Sequence, residues 1–209
     1  MEPAPSPSFA RNPATAAYYD RRAAEYDEWY EDRGQYAARR RPGWREEVEA
    51  LVALVGGLGE AATLDVACGT GFLTRHLRGR AAGVDRSHRM LAIAGARLAS
   101  GAVAAGDALA LPFRDGSWDR VLTAHFYGHL GHDERTAFLA EARRVGHQLV
   151  VIDSAWRPGI EPEQWQARVL NDGSRHRVYK RYLRPEQLAD EIGGEVLWSG
   201  PWFVAAAGR

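Results

Sequence analysis

From residue 62 onward, short apolar runs alternate with segments whose apolar residues recur at helical spacing. Each run has the length of a buried strand, and the five are "ATLDVA", "AAGVD", "GAVAAGD", "SWDRVLTA" and "HQLVVIDSA". Helices are predicted over residues 71–78, after the capping residue Ser87, and over 138–145. Repeated strand–helix alternation indicates a parallel sheet covered on both faces, and right-handed crossovers make it doubly wound.

Helical patterns also precede the first strand. The first begins at Asn12-Pro13, a capping residue followed by a proline suited to the first turn. Its aromatic residues Tyr19, Tyr26 and Tyr30 fall on one face. The second pattern runs from Trp44 to the pair Gly56-Gly57, where glycine ends the helix.

The pattern changes after residue 154. A helix is predicted after Pro185, and the runs "EVLWSG" and "WFVAAAG" flank the pair Gly200-Pro201. Two strands joined by so short a turn form an antiparallel hairpin. A mostly parallel sheet that closes with such a hairpin does not fit a simple dinucleotide-binding half, which would end on parallel strands.

The amino-acid composition restricts the possible binding partners more than it restricts the possible activities. Acidic and basic residues balance at 27 each, Lys180 is the only lysine, and Cys68 is the only cysteine. Bulk charge therefore favours neither nucleic acid nor a membrane surface, and an internal disulfide is excluded. No window is apolar enough to span a membrane, so we expect a cytoplasmic protein with a flexible tail over residues 1–12.

The stretch "TLDVACGTGFL" at residues 63–73 brings backbone close to a ligand. It lacks the Lys-Ser/Thr pair of a nucleotide phosphate loop and the spacing of a dinucleotide loop. Asp65 precedes the turn, where its charge disfavours pyrophosphate and favours an ammonium or sulfonium group. Asp85 ends the next strand, about 20 residues on, where a carboxylate holds ribose hydroxyls. These features predict a ligand that contains a nucleoside and does not depend on phosphate groups for binding.

Three motifs carry a family resemblance: "LDVACGTG", "GVDRSHRML" and "GDALALPFRDGSWDRV". In this order they resemble class I S-adenosylmethionine-dependent methyltransferases of the ubiquinone/menaquinone-methyltransferase-like type, over about residues 14–153. The resemblance implies an α/β, Rossmann-like fold with a seven-stranded, mostly parallel sheet. It also implies S-adenosyl-L-methionine as cofactor and methyl transfer to a small molecule by in-line displacement.

The resemblance implies roles for individual residues. Asp65 and the backbone through Gly71 would hold the methionine moiety, Asp85 the ribose, and Asp107 with the Ala108 backbone the adenine. Ala67 replaces the glycine that is common at that position. The predicted cofactor-binding set is Tyr26, Asp65, Ala67, Gly69, Gly71, Asp85, Arg86, Met90, Asp107, Ala108 and His125.

A single methyltransferase domain over residues 13–209 follows from this assignment. We expect lid helices over 13–57, the cofactor-binding core over 58–153, and a substrate-side segment with the closing hairpin over 154–209. The chain is expected to be a monomer or a homodimer.

The acceptor pocket is predicted beside "TAHFYGHLGHDE", which follows the fourth strand. His125 and His129 are the candidate catalytic residues, because histidine has a near-neutral pKa and can act as a general base. Tyr19, Tyr127 and Trp156 are candidate substrate contacts. The segment lacks the Asn/Asp-Pro-Pro-Tyr/Phe signature of many nucleic-acid and protein methyltransferases, which favours a small-molecule acceptor.

Several alternatives stay open. No metal is expected, although His125, His129 and His132 are closely spaced, because Gly128 and Gly131 interrupt a continuous helix. The basic run "SRHRVYKRYLR" is interpreted as a solvated face, so no nucleic acid is expected. The other functions considered are S-adenosylmethionine binding without methyl transfer, as in a cyclase-like or auxiliary protein, RNA methylation, and NAD-dependent oxidation.

Overall fold

A computed structural model describes residues 8–98 and 102–209 of the chain. Seven strands form one sheet: β1 Thr63–Val66, β2 Ala81–Asp85, β3 Val103–Ala105, β4 Trp118–Ala124, β5 Gly146–Ser154, β8 Gly194–Ser199 and β9 Phe203–Gly208. Their order is β3-β2-β1-β4-β5-β9-β8. The first five pair in parallel, whereas β9 is antiparallel to β5 and to β8. The predicted α/β fold class with its closing antiparallel hairpin is confirmed.

In the described part of the chain, six α-helices accompany the strands: α1 Pro13–Arg22, α2 Glu28–Glu31, α3 Trp44–Gly57, α4 His88–Arg97, α5 His132–Val145 and α6 Pro185–Ile192. Two of the predicted caps are present. Asn12 Oδ1 accepts a hydrogen bond from the Ala14 amide at 2.9 Å, and Ser87 Oγ accepts one from the Met90 amide at 3.1 Å. These bonds satisfy amides that otherwise lack partners at a helix start.

Two helical predictions differ from the structure. The helix predicted over residues 71–78 is only a 3₁₀ turn, Thr74–His76, because Leu77 is extended and Gly79 is left-handed with φ of 85°. The pattern through Tyr19 and Tyr30 is not one helix, since α1 gives way to a 3₁₀ turn, Ala23–Glu25, before α2.

A second, two-stranded antiparallel sheet is formed by β6 Glu163–Val169 and β7 Arg175–Arg181. We call it the β6–β7 hairpin. Strand β6 was not predicted from the sequence. Its residues alternate between half-buried and exposed, so the strand contains no apolar run that would indicate it.

Part of the segment predicted to be a flexible tail is packed. Residues 1–7 lie outside the described residues, but the Phe9 and Ala10 side chains are buried. The amides of both residues donate to the carboxylate of Glu134 at the start of α5, at 2.9 to 3.0 Å. A buried aromatic ring and paired backbone amides hold this stretch against the domain.

Apolar clusters cover both faces of the large sheet. One contains Leu64, Val121 and Phe138, and the other contains Trp44, Leu51 and Leu122. This two-sided burial explains why the strand sequences are continuous apolar runs. Within residues 8–98 and 102–209, no helix has both the length and the apolar character needed to cross a bilayer.

Candidate functional site

The loop after β1 turns through three left-handed residues, Ala67, Gly69 and Gly71, with φ of 60°, 55° and 72°. A Cβ added at Gly71 would lie 3.3 Å from the Cα and Cβ of Ala94, so glycine allows α4 to pack closely here. Ala67 adopts a conformation that residues with a Cβ rarely occupy. Such strain is typical of backbone that is shaped for a ligand.

Asp85 ties this loop to the end of β2. Its Oδ2 accepts a hydrogen bond from the Gly69 amide at 2.9 Å, and its Oδ1 accepts one from the Ser87 amide at 2.8 Å. Burial raises the pKa of the carboxyl, while the two amides lower it. The carboxylate therefore fixes the relative position of the loop and of the start of α4.

Asp65 lies in β1 beneath the same loop and is 2% exposed. The Thr74 hydroxyl donates to its Oδ2, whereas Oδ1 has no hydrogen-bond partner among the described residues. Burial raises the pKa of this carboxyl to about 7, with the Thr74 bond opposing the shift.

A narrow cavity with about 70 Å³ of free space lies above the carboxyl ends of β1, β2 and β4. We call it the glycine-loop cavity. The sequence-predicted residues that line it are Tyr19, Tyr26, Ala67, Gly69, Asp85, Arg86, Ala108 and His125.

Four predicted cofactor residues lie outside this lining. Asp65 is buried beneath the loop, Gly71 is the loop residue that packs against α4, and Met90 is buried in α4. Asp107 accepts a hydrogen bond from the Leu109 amide at 2.9 Å and lies 3.6 Å from Nε of Arg11. In this structure the N-terminal segment therefore reaches the carboxylate expected to meet adenine.

A second cavity, of about 450 Å³, lies between the N-terminal helices and the β6–β7 hairpin. We call it the hairpin cavity. It shares Tyr19, Tyr26 and His125 with the glycine-loop cavity. The two cavities thus meet at one histidine and two tyrosines.

His125 stands at this junction with a left-handed backbone, φ of 58°. Its ring lies 4.8 Å from the Trp29 ring and 5.2 Å from that of Phe203, by centroids. Neither ring nitrogen has a hydrogen-bond partner among the described residues. Burial lowers the pKa of His125 to about 3, with Lys180 and Arg22 contributing and Asp153 opposing. The ring is therefore neutral at physiological pH.

His129 lines only the hairpin cavity. Its Nδ1 lies 2.5 Å from the Tyr179 carbonyl oxygen, and its ring stacks on Phe9 with centroids 4.6 Å apart. A carbonyl only accepts, so Nδ1 carries the proton and the lone pair of the neutral ring is on Nε2. Burial lowers the pKa of His129 well below its ordinary value.

Two of the three predicted substrate contacts lie outside both cavities. Tyr127 is buried and donates its hydroxyl to Glu191 at 2.9 Å. Trp156 donates to the Ile160 carbonyl at 2.9 Å, and the Arg184 guanidinium covers its ring. Tyr19, by contrast, lines both cavities.

Sequence reasoning missed a buried ion pair below the hairpin cavity. Lys180 on β7 donates to Oδ1 of Asp153 at the end of β5, and both side chains are buried. Burial opposes ionisation of Asp153, but the Lys180 charge and its hydrogen bond help to lower the carboxyl pKa to about 2. No alternation along β7 indicated the inward position of Lys180, because residues 178–181 are all buried.

The other basic residues of the segment "SRHRVYKRYLR" contact different parts of the molecule. Arg181 pairs with Glu191, Arg184 covers Trp156, and Arg175 and Arg177 line a third cavity with Phe9 and Tyr18. Across residues 8–98 and 102–209, no group of three or more His, Cys, Asp or Glu side chains is arranged to hold a metal ion.

A second missed residue is Arg22, which lines the hairpin cavity although it belongs to α1. It lies three residues after Tyr19 and four before Tyr26, so helical spacing already placed it near both tyrosines. Trp202 and Phe203 from the closing hairpin also line this cavity. No local sequence signal indicates their place there, because only the sheet order brings β9 beside β5.

Comparison with known proteins identifies similar chains. A family model described as a methyltransferase domain matches residues 64–149. A demethylmenaquinone methyltransferase from Thermotoga maritima is 38% identical over 107 residues, which cover 49% of this chain and 44% of that protein. The match thus spans less than half the length of this relative.

Two solved structures cover nearly the whole chain. The DhpI–SAH complex is 27% identical, with a TM-score of 0.71, and the alignment covers 93% of this chain and 94% of that one. The DhpI–SAM–HEP complex is 24% identical, with a TM-score of 0.74 and coverage of 98% and 100%, and shows the shared fold. The chain is therefore similar to a methyltransferase domain over residues 64–149, and it shares the fold of the two DhpI complexes.

Proposed function

We propose that the protein transfers a methyl group from S-adenosyl-L-methionine to a small-molecule acceptor. The observation that carries this proposal is the meeting of two cavities at Tyr19, Tyr26 and His125. Methyl transfer is a displacement between two bound molecules, so it needs two adjoining sites with a narrow passage between them. The glycine-loop cavity serves the cofactor and the hairpin cavity serves the acceptor.

The residues of the glycine-loop cavity fit an uncharged nucleoside joined to a zwitterionic amino acid. The lining combines the left-handed loop, the Asp85 carboxylate and the small residues Gly106 and Ala108. A Cβ added at Gly69 would lie 3.6 Å from the Tyr26 ring, so glycine keeps this end of the cavity open. When bound, S-adenosylmethionine supplies an electrophilic methyl group attached to a positively charged sulfur.

Each lining group has a definite task under this proposal. Asp85 accepts hydrogen bonds from the ribose hydroxyls, and the backbone at Ala67 and Gly69 holds the methionine end. Gly106 and Ala108 bound the adenine end. Tyr19 and Tyr26 wall the passage and exclude water, which a displacement at near-attack distance requires.

His125 is assigned as the residue that contacts both bound molecules. Its two ring nitrogens have no hydrogen-bond partner among the described residues, so they are free to orient an acceptor. A ring with a pKa of about 3 accepts a proton poorly near pH 7. Burial lowers the pKa of His129 as well, so basicity does not distinguish the two histidines. Where the acceptor must lose a proton, His129 is the proposed base on geometry, because the Tyr179 carbonyl holds its Nδ1 and its Nε2 carries the lone pair.

The main alternative is a protein that binds S-adenosylmethionine without transferring its methyl group. A screen of small metabolites with methyl-labelled cofactor separates the two. We expect one or more metabolites to gain one labelled methyl group, with release of S-adenosylhomocysteine. Cofactor binding without any labelled product would favour the alternative.

Calorimetry tests the cofactor assignment itself. S-adenosylmethionine and S-adenosylhomocysteine should bind, and NAD should not. Asp85→Ala should weaken binding by at least about tenfold, because hydrogen bonds to a charged group are lost. Asp115→Ala is the control, since this exposed carboxylate pairs with Arg144 away from both cavities. Tight NAD binding with no response to either sulfur compound would contradict the proposal.

We further propose that the protein acts in the cytoplasm, as a monomer or a homodimer, and binds no nucleic acid. The dispersal of the basic run supports the last point. Among the described residues, only three large apolar side chains are exposed, those of Trp165, Val169 and Val196. Size-exclusion chromatography with light scattering measures the oligomeric state.

A further inference from the structure

The charged side chains that line the hairpin cavity are predominantly positive. Its lining includes six basic side chains and, among the described residues, no Asp or Glu. The six are Arg22, Arg39, Arg41, Arg157, Arg168 and Lys180. The whole chain has no net charge, so this concentration is local. A concave, low-dielectric surface lined by one sign of charge raises the local concentration of the opposite ion.

Among the described residues, only two of these cations have a carboxylate partner. Arg41 pairs with Asp32, and Lys180 pairs with Asp153. Arg22, Arg39, Arg157 and Arg168 form no ion pair with any residue in 8–98 or 102–209. A lining with four uncompensated cations leaves a positive potential in the cavity.

Of these four residues, Arg22 gives the strongest evidence for an anionic ligand, because its side chain is only 7% exposed. Its guanidinium donates to the Tyr36 hydroxyl at 3.2 Å and lies 4.7 Å from the Tyr26 ring centroid. These neutral partners stabilise the cation less than a carboxylate would. A buried cation without a counter-ion is costly to a fold unless a ligand supplies the charge.

We propose that the hairpin cavity binds an acceptor through an oxyanion group, a carboxylate or a phosphoryl group, held by Arg22 and Arg168. This inference rests on the proposed function and specifies its acceptor. A guanidinium offers paired N–H donors that match the oxygen spacing of either group. Arg168 comes from β6 and Arg22 from α1, so the anion joins the β6–β7 hairpin to the N-terminal helices.

The remaining walls indicate the rest of the acceptor. Indole and phenol rings line the cavity, from Trp29, Trp44, Trp165, Tyr182 and Trp202. They suit an apolar or aromatic body of drug-like size, since the cavity has a volume of about 450 Å³. His125, with both ring nitrogens unpartnered, faces the passage toward the glycine-loop cavity and orients this body.

Calorimetric titration with benzoate, phenylphosphonate and the neutral isostere benzamide tests the inference, with and without saturating S-adenosylhomocysteine. At least one of the two anions should bind about tenfold or more tightly than benzamide, and added salt should reduce the difference. The tighter anion distinguishes a carboxylate acceptor from a phosphoryl one.

Two variants with the same change in net charge separate local from long-range attraction. Arg168→Gln should weaken binding of the anion about tenfold. Arg177→Gln should leave it unchanged, because Arg177 lies on the same hairpin but lines a different cavity. Unchanged thermal stability in both variants shows that the fold is intact.

The inference is overturned if neither anion binds more tightly than benzamide, or if Arg177→Gln weakens binding as much as Arg168→Gln. Failure of the proposed function has a different signature, because either S-adenosylhomocysteine does not bind or no metabolite gains a labelled methyl group. The titrations without S-adenosylhomocysteine still report the charge preference of the cavity in that case.

Discussion

The amide nitrogen of Gly69 lies 2.9 Å from Oδ2 of Asp85, so one carboxylate connects the glycine loop to the end of β2. Its other oxygen accepts from the Ser87 amide. We therefore expect Asp85→Asn, which exchanges one acceptor oxygen for a donor, to lose one of these two bonds. Stability should fall by about 1 to 3 kcal/mol, measured by urea unfolding.

The control for that loss is Asp115→Asn, which alters an exposed carboxylate far from the loop. Asp85→Asn should also weaken binding of S-adenosylhomocysteine, since the loop geometry and the ribose acceptor change together. An Asp85→Asn variant that unfolds at the same urea concentration as the unmodified protein would contradict the proposed tie between loop and strand.

The buried carboxyl of Asp65 should make stability depend on pH. Burial raises its pKa to about 7 in the folded protein, above an unfolded value near 3.9. A raised carboxyl pKa stabilises the fold fully below about pH 4, and this contribution is lost as pH rises through about 7. Asp65→Asn should remove the decline and be the more stable protein at pH 8, by about 1 to 4 kcal/mol.

Thermal unfolding of the ligand-free protein from pH 4 to pH 8 measures this effect. Asp115→Asn should follow the unmodified protein throughout, because its carboxylate is exposed. Parallel pH curves for the Asp65→Asn variant and the unmodified protein would show that the pKa of Asp65 is not raised.

The left-handed backbone of His125 allows its side chain to be tested apart from its conformation. Asparagine tolerates a positive φ better than β-branched residues do. His125→Asn should therefore keep nearly full stability, whereas His125→Val should lose about 1 to 3 kcal/mol. Both variants should lose methyl transfer by at least about tenfold, because neither positions the acceptor.

The comparison of the two variants separates folding from catalysis. If the stable His125→Asn variant transfers methyl groups as fast as the unmodified protein, His125 has no part in orienting the acceptor. Binding of S-adenosylhomocysteine is measured in both variants to show that the cofactor site is intact.

The buried pair of Lys180 and Asp153 should be costly to break from one side. Lys180→Met leaves a buried carboxylate without its cation. Removing one partner of a buried ion pair typically costs about 3 to 5 kcal/mol, and we expect the free energy of unfolding to fall by about 3 kcal/mol. The Asp153 pKa of about 2 is below its unfolded value. The stabilisation is therefore present above about pH 4 and lost as pH falls toward 2.

The loss of stability caused by Lys180→Met should therefore be largest near neutral pH and should become smaller in acid. The double variant with Asp153→Asn should recover part of the loss, because the amide oxygen still accepts from the Gly128 amide. A deficit that stays constant from pH 7 to pH 3 would mean that the ion pair contributes little.

The contact between Glu134 and the N-terminal segment should slow release of the cofactor. The Glu134 carboxylate accepts from the amides of Phe9 and Ala10, and these two residues line the glycine-loop cavity. Glu134→Ala should speed dissociation of S-adenosylhomocysteine several-fold in stopped-flow measurements. Its neighbour in the first turn of α5 provides the control, since Asp133→Ala leaves the segment's hydrogen bonds in place. Equal rates in the two variants would contradict this role.

Strands β1, β4, β5 and β9 of the large sheet were predictable because each is a largely buried apolar run bounded by loops. The residues around the glycine loop were predictable for a related reason, since parallel strands bring Asp85 and Ala108 to the same edge as Gly69. β6 was not, because its faces are only half-buried and its pattern is weak. Tyr127 and Trp156 lie near the predicted acceptor region in sequence, but their side chains point to Glu191 and Ile160.

The α/β fold, the order of the strands along the chain and the glycine loop with its acidic neighbour can be predicted from local sequence patterns. These features depend on local spacing and burial, which the chain encodes within a few residues. The surroundings of His125, by contrast, depend on how distant segments pack. Arg22, Arg168 and Lys180 come from α1, β6 and β7, and long-range packing alone brings them to one cavity. The charge of that cavity, and hence the kind of acceptor, depends on contacts between segments far apart in sequence.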